Sequence, residues 1–289
     1  MTQAMANTHH LFKRFDQALS VSKEKESLKK ARMEIRRRIT GYFKKDHNLD
    51  IVMKGIGSYV LGTIIQKNDG RVDLDEGIFF PQKPVESARQ TMKLVHEVVK
   101  KMNIPTEHHQ HCITVAYNSY NVDLPCFVKA DIRDTKPARL ATKDDEWITD
   151  DPIAFEKWFN GKKDSDGQLL RLVRYLKAWC DYRSQAMPKG VVMTTLAAKC
   201  FNRQINRDDK ALMHTLQTIH QSLSDKWSLK MPIPNGEDLL LDFTSHKSNF
   251  MDALRRFIED GERAINEAGS EEKAARLWQR HLGDRFPVS

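Results

Sequence analysis

The stretch GSYVLGTIIQKNDGRVDLDEGIFF, residues 57–80, constrains this chain most, because it sets two acidic residues inside an apolar strand pattern. The strand is predicted from β-branched, aliphatic and aromatic residues, namely Val72, Leu74, Ile78, Phe79 and Phe80. Side chains alternate along a strand, so Asp73 and Asp75 point to one face while Leu74 points into the core. Two carboxylates held that close repel each other unless a cation lies between them. The pattern favours a divalent-cation site, although a bare D-x-D is also typical of a solvated strand edge.

The residues just before this strand predict a phosphate-binding turn. Gly57 lets the backbone approach a ligand closely, and Ser58 offers a hydroxyl followed by backbone amide donors. If Ser58 opens a short helix over residues 59–63, the free N–H groups of that helix form an anion site. The turn is not a Walker loop, because no Gly-Lys-Ser/Thr follows it. A phosphate cradle beside paired acids is the equipment for phosphoryl or nucleotidyl transfer.

Oxygen-only ligands on a rigid strand suit Mg²⁺ or Mn²⁺ better than zinc. A third carboxylate from a neighbouring strand would complete a two-metal site and help to remove a proton from an attacking hydroxyl. Asp123 is the predicted third acid, in a strand that ends at Pro125 and whose Asn121 shares the same face. Asp131 is the rival for this role, but it follows the break at Pro125 and begins a charged loop.

Composition bounds the class of protein. With 289 residues the chain can bury a large core, as one bilobal unit or as two packed domains. No apolar run approaches the roughly 18 residues that span a bilayer, and the first residues lack the basic and apolar regions of a signal peptide. Four widely spaced cysteines fit reduced thiols, so we expect a cytoplasmic protein. The net charge of +8 favours polyanionic partners such as nucleotides or nucleic acid.

Helical periodicity predicts helices over residues 9–19, 22–46 and 84–102, then strands, and helices again beyond the acidic turn at 144–152. We therefore expect one domain over residues 1–150 and a second, helical one over 151–289. The second helix has a strongly basic outer face, which could meet nucleic acid or could simply be solvated.

The segment QLLRLVRYLKAWCDYR predicts a helix whose buried stripe leaves three cations off it, Arg171, Arg174 and Lys177. One of these cations would reach a triphosphate, where a lysine acts as a point charge. The alternative is that all three are ordinary surface cations. His108, His109 and His111 invite a zinc interpretation, but their spacing fits no common four-ligand pattern, so loop histidines are the better interpretation.

The pairing of G-S-x-x-x-G-T with a later D-x-D resembles the nucleotidyltransferases of the polymerase-beta type. Within them the chain resembles the bacterial cyclic GMP–AMP synthase-like nucleotidyltransferases of anti-phage defence, the CD-NTases of CBASS signalling. The matching segments follow the family's order and cover most of the chain, namely GSYVLGT, VDLDEGIFF, NVDLP, W-x-x-DDP-x-x-F-x-x-WF, RYLKAW and ARLWQRHLGDRFP.

The resemblance implies an α+β fold in which a polymerase-beta-like core with a mixed sheet faces a C-terminal helical lobe, with a long N-terminal spine helix bracing both. Gly57 and Ser58 would hold the donor triphosphate and Lys177 would contact it, while Asp73, Asp75 and Asp123 would bind two Mg²⁺ ions and carry catalysis. Similar enzymes often have a serine and an aromatic residue where this chain has Gly190 and Val191, so no base-stacking residue is assigned.

The function implied is the joining of nucleoside triphosphates, such as ATP and GTP, into a cyclic di- or trinucleotide. This messenger would act on a separate effector protein, with no need for nucleic acid or a membrane. Two alternatives stay open, a primer-dependent enzyme that tails RNA or tRNA, and an inactive nucleotide-binding scaffold.

Overall fold

The computed structural model describes residues 6–22, 24–82, 87–233 and 236–289. These residues form two compact units. The sheet unit comprises Val21–Gly161 with Ile233–Gly236, and the helical unit comprises the chain up to Ser20 with Lys162–Pro232 and Glu237–Ser289, each as far as it is described. Residues 6–20 thus pack with the later helices, whereas the domain boundary was expected after residue 150. The domain assignment itself stays a prediction.

The sheet unit has helices between its first strands and then six consecutive strands before its last helix. Its elements are α2 (Lys25–His47), β1 (Val52–Ile56), α3 (Gly57–Leu61), β2 (Val72–Phe80), α4 (Ala88–Lys100), β3 (Thr106–His108), β4 (Ile113–Ala116), β5 (Tyr120–Leu124), β6 (Cys126–Val128), β7 (Arg139–Ala141), β8 (Trp147–Thr149) and α5 (Pro152–Asn160). Ser87 caps α4 in a capping box with Gln90, which accounts for a start at Ala88 rather than at residue 84. Pro84, where that helix was expected to begin, lies outside the described residues.

Strand β2 organises the mixed sheet. It pairs antiparallel with β1 and parallel with both β5 and β6. The parallel pairing keeps one register through the interruption at Pro125, since Val72 lies opposite Tyr120 and Ile78 opposite Cys126. Antiparallel strands extend the sheet on either side, in the path β3-β4-β5-β2-β6-β7-β8. The predicted strand with two acids is therefore central.

Alternation along β2 puts its aliphatic residues into the larger core of the unit. Leu74, Ile78 and Phe80 are at most 1% exposed, and they pack against one face of α2. That face consists of five residues at helical spacing, all of which are buried, namely Leu28, Ala31, Ile35, Ile39 and Phe43. The side chain of Phe79 lies in a second cluster, stacked on Phe127 with ring centroids 5.0 Å apart. Apolar packing on both sides of the sheet therefore holds β2 in place.

The Asp151 carboxylate binds both the start of α5 and residues beside β6 and β7. It accepts backbone hydrogen bonds from Ile153 and Ala154, both at 3.1 Å, and so caps the helix. It also accepts one from Ala138 at 3.2 Å and pairs with the Lys129 ammonium at 3.0 Å. Both charged side chains are almost completely buried, so each depends on the other for compensation.

The helical unit contains α1 (His9–Ala18), α6 (Gln168–Tyr182), α7 (Gly190–Cys200), α8 (Asp208–Asp225), the 3₁₀ helix Leu241–His246, α9 (Lys247–Asn266) and α10 (Glu271–Leu282). Helix α1 buries Phe12 and Phe15 among aromatic rings of the later helices, including Tyr175 and Trp278. This packing explains why α1 belongs to this unit. Within the described ranges, no helix is both long and apolar enough to cross a membrane.

Replacing Asp151 with alanine should lower the free energy of unfolding by about 3–5 kcal/mol, because the Lys129 ammonium would stay buried without its counter-charge. Urea denaturation measures the change, and Asp131→Ala, on the exposed surface of the same unit, should cost far less. Adding Lys129→Met to Asp151→Ala should restore part of the loss, since it removes the stranded charge. Equal losses for Asp151→Ala and Asp131→Ala would contradict the assignment.

Candidate active site

Three carboxylates and one amide share a face of the sheet, where β2 runs beside β5. In the parallel register Asp73 lies opposite Asn121, and Asp75 lies opposite Asp123. Residues opposite each other point to the same side of a sheet, while Leu74 and Val122, between them, are fully buried on the other side. We call the shared surface the acid face; it consists of Asp73, Asp75, Asn121 and Asp123. The expectation that Asp73 and Asp75 point away from Leu74 is met, and Asp123 joins them.

Neighbouring side chains hold two of these carboxylates. The Lys67 ammonium forms an ion pair with Asp73, and the Asn121 amide donates a hydrogen bond to Asp73 Oδ1 at 3.2 Å. The Thr114 hydroxyl donates to Asp123 Oδ1, from the position directly opposite Asp123 on β4. The acid face therefore has donors supplied from two strands and from the loop before β2.

Burial governs the protonation of Asp123. Loss of solvent raises its pKa above the ordinary value of 3.8, the Thr114 hydroxyl opposes that rise by bonding the ionised form, and the charge of Asp73 adds to it. The same environment raises the pKa of the Cys112 thiol to about 12, through burial first and then the charge of Asp123. Cys112 is consequently a neutral thiol at physiological pH.

The glycine-serine turn begins against the acid face. Ile56, the last residue of β1, lies opposite Asp75, and Gly57 follows it with a backbone φ of 63°. A Cβ on Gly57 would overlap the Asp75 carboxylate and lie 2.9 Å from its Cγ. The short helix expected over residues 59–63 instead covers Gly57–Leu61, because Gly62 ends it in the left-handed conformation. Ser58 is the second residue of that helix.

Two of the three cations expected off the buried stripe of α6 form ion pairs within the helical unit. Arg171 was expected off the buried stripe of α6, and this is wrong, since it is only 6% exposed and binds Asp208 at 2.7 Å. Arg174 pairs with Asp16 of α1 at 2.6 Å. Lys177 is partly buried, and its Cε lies 3.3 Å from the position of a Cβ on Gly190. Its contact with a triphosphate stays a prediction.

Asp131 does not lie on the acid face. It follows β6 rather than β5, and its carboxylate pairs with Arg133 at 2.8 Å, which lowers its pKa to about 2.

The histidines considered for zinc lie around the end of β3. His108 is the last residue of that strand, and the Nε2 atom of His109 lies 3.1 Å from Oε2 of Glu107.

The donor set fits Mg²⁺ in chemistry, because carboxylate oxygens are the ligands that this ion prefers. Asp75 and Asp123 lie opposite each other on neighbouring strands, which are about 4.8 Å apart. Carboxylates that start from backbones at this spacing can reach one ion. In the described part of the chain, however, no three His, Cys, Asp or Glu side chains are already gathered as a metal site. Lys67 and Thr114 instead bind carboxylate oxygens of Asp73 and Asp123.

Sequence reasoning missed several residues of this region, among them Lys67, Thr114 and Glu76. Glu76 follows Asp75 on β2 but has no exposed surface, and Arg32 and Arg36 of α2 bind it. The sequence does indicate that Glu76 is buried, because strand alternation puts it on the core side between Leu74 and Ile78. A charged residue in such a position calls for a buried partner.

The described geometry is that of a mixed sheet carrying clustered carboxylates beside a glycine turn. The family model for the Second Messenger Oligonucleotide or Dinucleotide Synthetase domain matches residues 5–163. This is more than half of the chain, and the chain belongs to this family. The resemblance to bacterial cyclic GMP–AMP synthase-like proteins inferred from the motifs is thereby confirmed.

Among curated proteins, a cyclic AMP-AMP-AMP synthase of an Acinetobacter species is 30% identical over 156 residues, which is 50% of this chain and 45% of the relative. A cyclic GMP-AMP synthase of Escherichia albertii is 26% identical over 200 residues, which is 62% of this chain and 44% of the relative. The aligned regions thus span less than half the length of these relatives.

Among solved structures, the cyclic AMP-GMP synthase DncV of Vibrio cholerae, in complex with the linear intermediate pppA(3′,5′)pG, aligns with a TM-score of 0.86 at 18% identity. The alignment covers 98% of this chain and 97% of that one. A second structure of the same protein gives a TM-score of 0.83 at 19% identity. The fold class predicted from the sequence is confirmed, and the bracing role of the long helix α2 stays a prediction.

Gly57→Ala should destabilise the protein more than Gly70→Ala. Both glycines have positive φ, which costs an alanine about 1–2 kcal/mol, but a Cβ on Gly70 would meet open space. Only the first substitution adds an overlap with Asp75. Urea denaturation of the two variants separates backbone strain from the overlap, and equal losses would show that Gly57 does not need to be small.

Asp123→Asn should raise the free energy of unfolding at neutral pH in chelator-treated protein. Because the folded-state pKa of Asp123 is raised, the ionised form penalises folding, and the penalty vanishes below the ordinary value of 3.8 and grows as pH rises through the folded pKa. The gain should therefore shrink towards acid pH. Chemical denaturation across pH measures it, with Asp131→Asn as the control that should show no gain. A pH-independent difference would refute this account.

Proposed function

We propose that this protein is a magnesium-dependent nucleotidyltransferase that makes a cyclic di- or trinucleotide messenger from nucleoside triphosphates. It would act in the cytoplasm as part of anti-phage defence, and its product would act on a separate effector protein. Nucleic acid and membranes would not be required. The named products of the two curated relatives differ in ring size and in bases, so the proposal covers both ring sizes.

The observation that carries this proposal is the acid face with the Gly57 turn against it. Asp75 and Asp123 lie opposite each other in register, and the Asp75 carboxylate occupies the space beside Gly57. Carboxylates for cations and a turn for phosphate are thus supplied side by side, as nucleotidyl transfer demands. Membership of the synthetase family and solved DncV complexes with GTP, or with ATP and GTP, support nucleoside triphosphates as substrates.

In each step a hydroxyl oxygen of one nucleotide would form a bond to the α-phosphorus of another. The bond from that phosphorus to the bridging oxygen of the β-phosphate would break, and pyrophosphate would leave. A second such step on the linear intermediate would close a dinucleotide ring, whereas a trinucleotide ring would take a third step. Asp73, Asp75 and Asp123 would hold two Mg²⁺ ions, with Mn²⁺ as a possible substitute, and bound ions neutralise developing charge on the phosphoryl oxygens.

The chain's own residues would position the reactants. Gly57 and Ser58 would hold the donor triphosphate, and Lys177 would contact it from the helical unit. Asp123 would help to accept the proton of the attacking hydroxyl, since burial raises its pKa and a higher pKa makes a carboxylate a better base. The Lys67 ammonium pairs with Asp73, so a bound cation would compete with Lys67 for that carboxylate.

The exposed basic residues of α2 keep the tailing alternative open. Lys29, Lys30 and Arg37 are all exposed, and an RNA backbone would favour such a surface. Incubation of the full chain with the four ribonucleoside triphosphates and Mg²⁺, without a primer, discriminates between the functions. A phosphatase-resistant product of cyclic mass supports the synthase, strict dependence on an added primer supports tailing, and triphosphate binding without pyrophosphate release supports a scaffold.

Asp73→Asn should lower product formation by at least about 100-fold, since even residues that only support a metal ligand contribute about 10–100-fold. Its fold should persist, because the substitution removes a like charge from the acid face. Mass spectrometry of the product and urea denaturation measure the two effects. Asp131→Asn is the matched control and should keep full turnover; undiminished product from Asp73→Asn would eliminate the metal assignment.

A further inference from the structure

Glu76 is a buried carboxylate one residue beyond the acid face. It has no exposed surface and points towards α2, where Arg32 Nε donates to its Oε2 at 2.8 Å and Arg36 binds its Oε1. The two arginines lie one helical turn apart, so they share a face of α2. Both therefore pair with a buried carboxylate, although the Arg32 side chain is 18% exposed and the Arg36 side chain is 37% exposed.

Arg32 makes two further contacts. Its guanidinium carbon lies 5.1 Å from the centroid of the Tyr59 ring, which is within the range of a cation–π interaction. Its Nη2 lies 2.6 Å from the position that a Cβ on Gly55 would take, so the guanidinium fits because β1 carries a glycine there. Arg32 is thus held between α3, β1 and β2.

These contacts connect the two halves of the candidate active site. Tyr59 directly follows Ser58 in α3, and Glu76 directly follows Asp75 in β2. We propose that Arg32 is a positioning residue that fixes the glycine-serine turn relative to the acid face. This inference rests on the proposed function. Arg32 itself makes no contact with the reacting atoms; it acts through Tyr59 on the turn and through Glu76 on the acids.

A lysine could not do both tasks. The planar guanidinium offers donors along its edge to a carboxylate while its face stacks on an aromatic ring. An ammonium group retains the charge that Glu76 needs but presents neither the fork nor the flat face. Arg32→Lys should therefore leave the buried carboxylate compensated while loosening Tyr59. A misplacement of about 1 Å in an active site can lower the rate by about 100-fold.

The test compares Arg32→Lys with Arg36→Lys, which makes the same chemical change at the other partner of Glu76. Arg32→Lys should lower kcat about 10–100-fold and weaken the binding of a non-reacting triphosphate analogue with Mg²⁺, measured by calorimetry. Arg36→Lys should shift the thermal midpoint by a similar amount but keep kcat and analogue affinity within about threefold of the wild-type values. Equal losses in the two variants would overturn the proposal.

A double-mutant cycle gives a readout that a merely stabilising residue would not move. Tyr59→Leu removes the ring while leaving the Glu76 pairing in place, and it should lower kcat in the same direction. If Arg32 acts through Tyr59, the double variant Arg32→Lys/Tyr59→Leu should be no slower than the slower single variant. Multiplying losses would refute the coupling. Wild-type protein that binds no triphosphate would instead refute the proposed function, and the role of Arg32 with it.

Discussion

The parallel pairing of β2 with β5 is the constraint on which the acid face depends, because it sets Asp75 directly opposite Asp123. Like charges on adjacent strands repel, and burial makes the repulsion harder to screen. Burial is the main cause of the raised pKa of Asp123, and the charge of Asp73 adds to it. Hydrogen bonds from Thr114 and Asn121 and the charge of Lys67 offset part of the repulsion. The arrangement persists because the sheet does not allow the strands to move apart.

What holds the strands is on the opposite face of the sheet. Leu74 and Val122 are completely buried, and the surrounding cluster includes one face of α2. A slip of β2 by one residue would turn Leu74 to the exposed face and bring Asp73 and Asp75 into the core. The apolar register therefore fixes the position of the carboxylates more firmly than the interactions of the carboxylates themselves.

The sequence predicts this alternation well, since a two-residue period depends on local geometry alone. The helix predicted over residues 22–46 also rests on local geometry, since its apolar residues recur at helical spacing. The burial of Arg171 is not predicted, because helical periodicity assigns a lone arginine to the surface. Its burial depends on Asp208, which is 37 residues away and arrives only when α6 and α8 pack. Contacts of Lys67 and Thr114 likewise depend on tertiary structure.

The two glycines around Ile56 show how space, and not only charge, defines the region. Gly57 leaves room for the Asp75 carboxylate, and Gly55 leaves room for the Arg32 guanidinium. One group is an anion on the acid face, and the other is a cation that reaches from α2. Larger residues at either position would push a charged group out of its place. Because Ile56 between them lies opposite Asp75, the end of β1 brings the turn, the acids and α2 to within a few residues of one another.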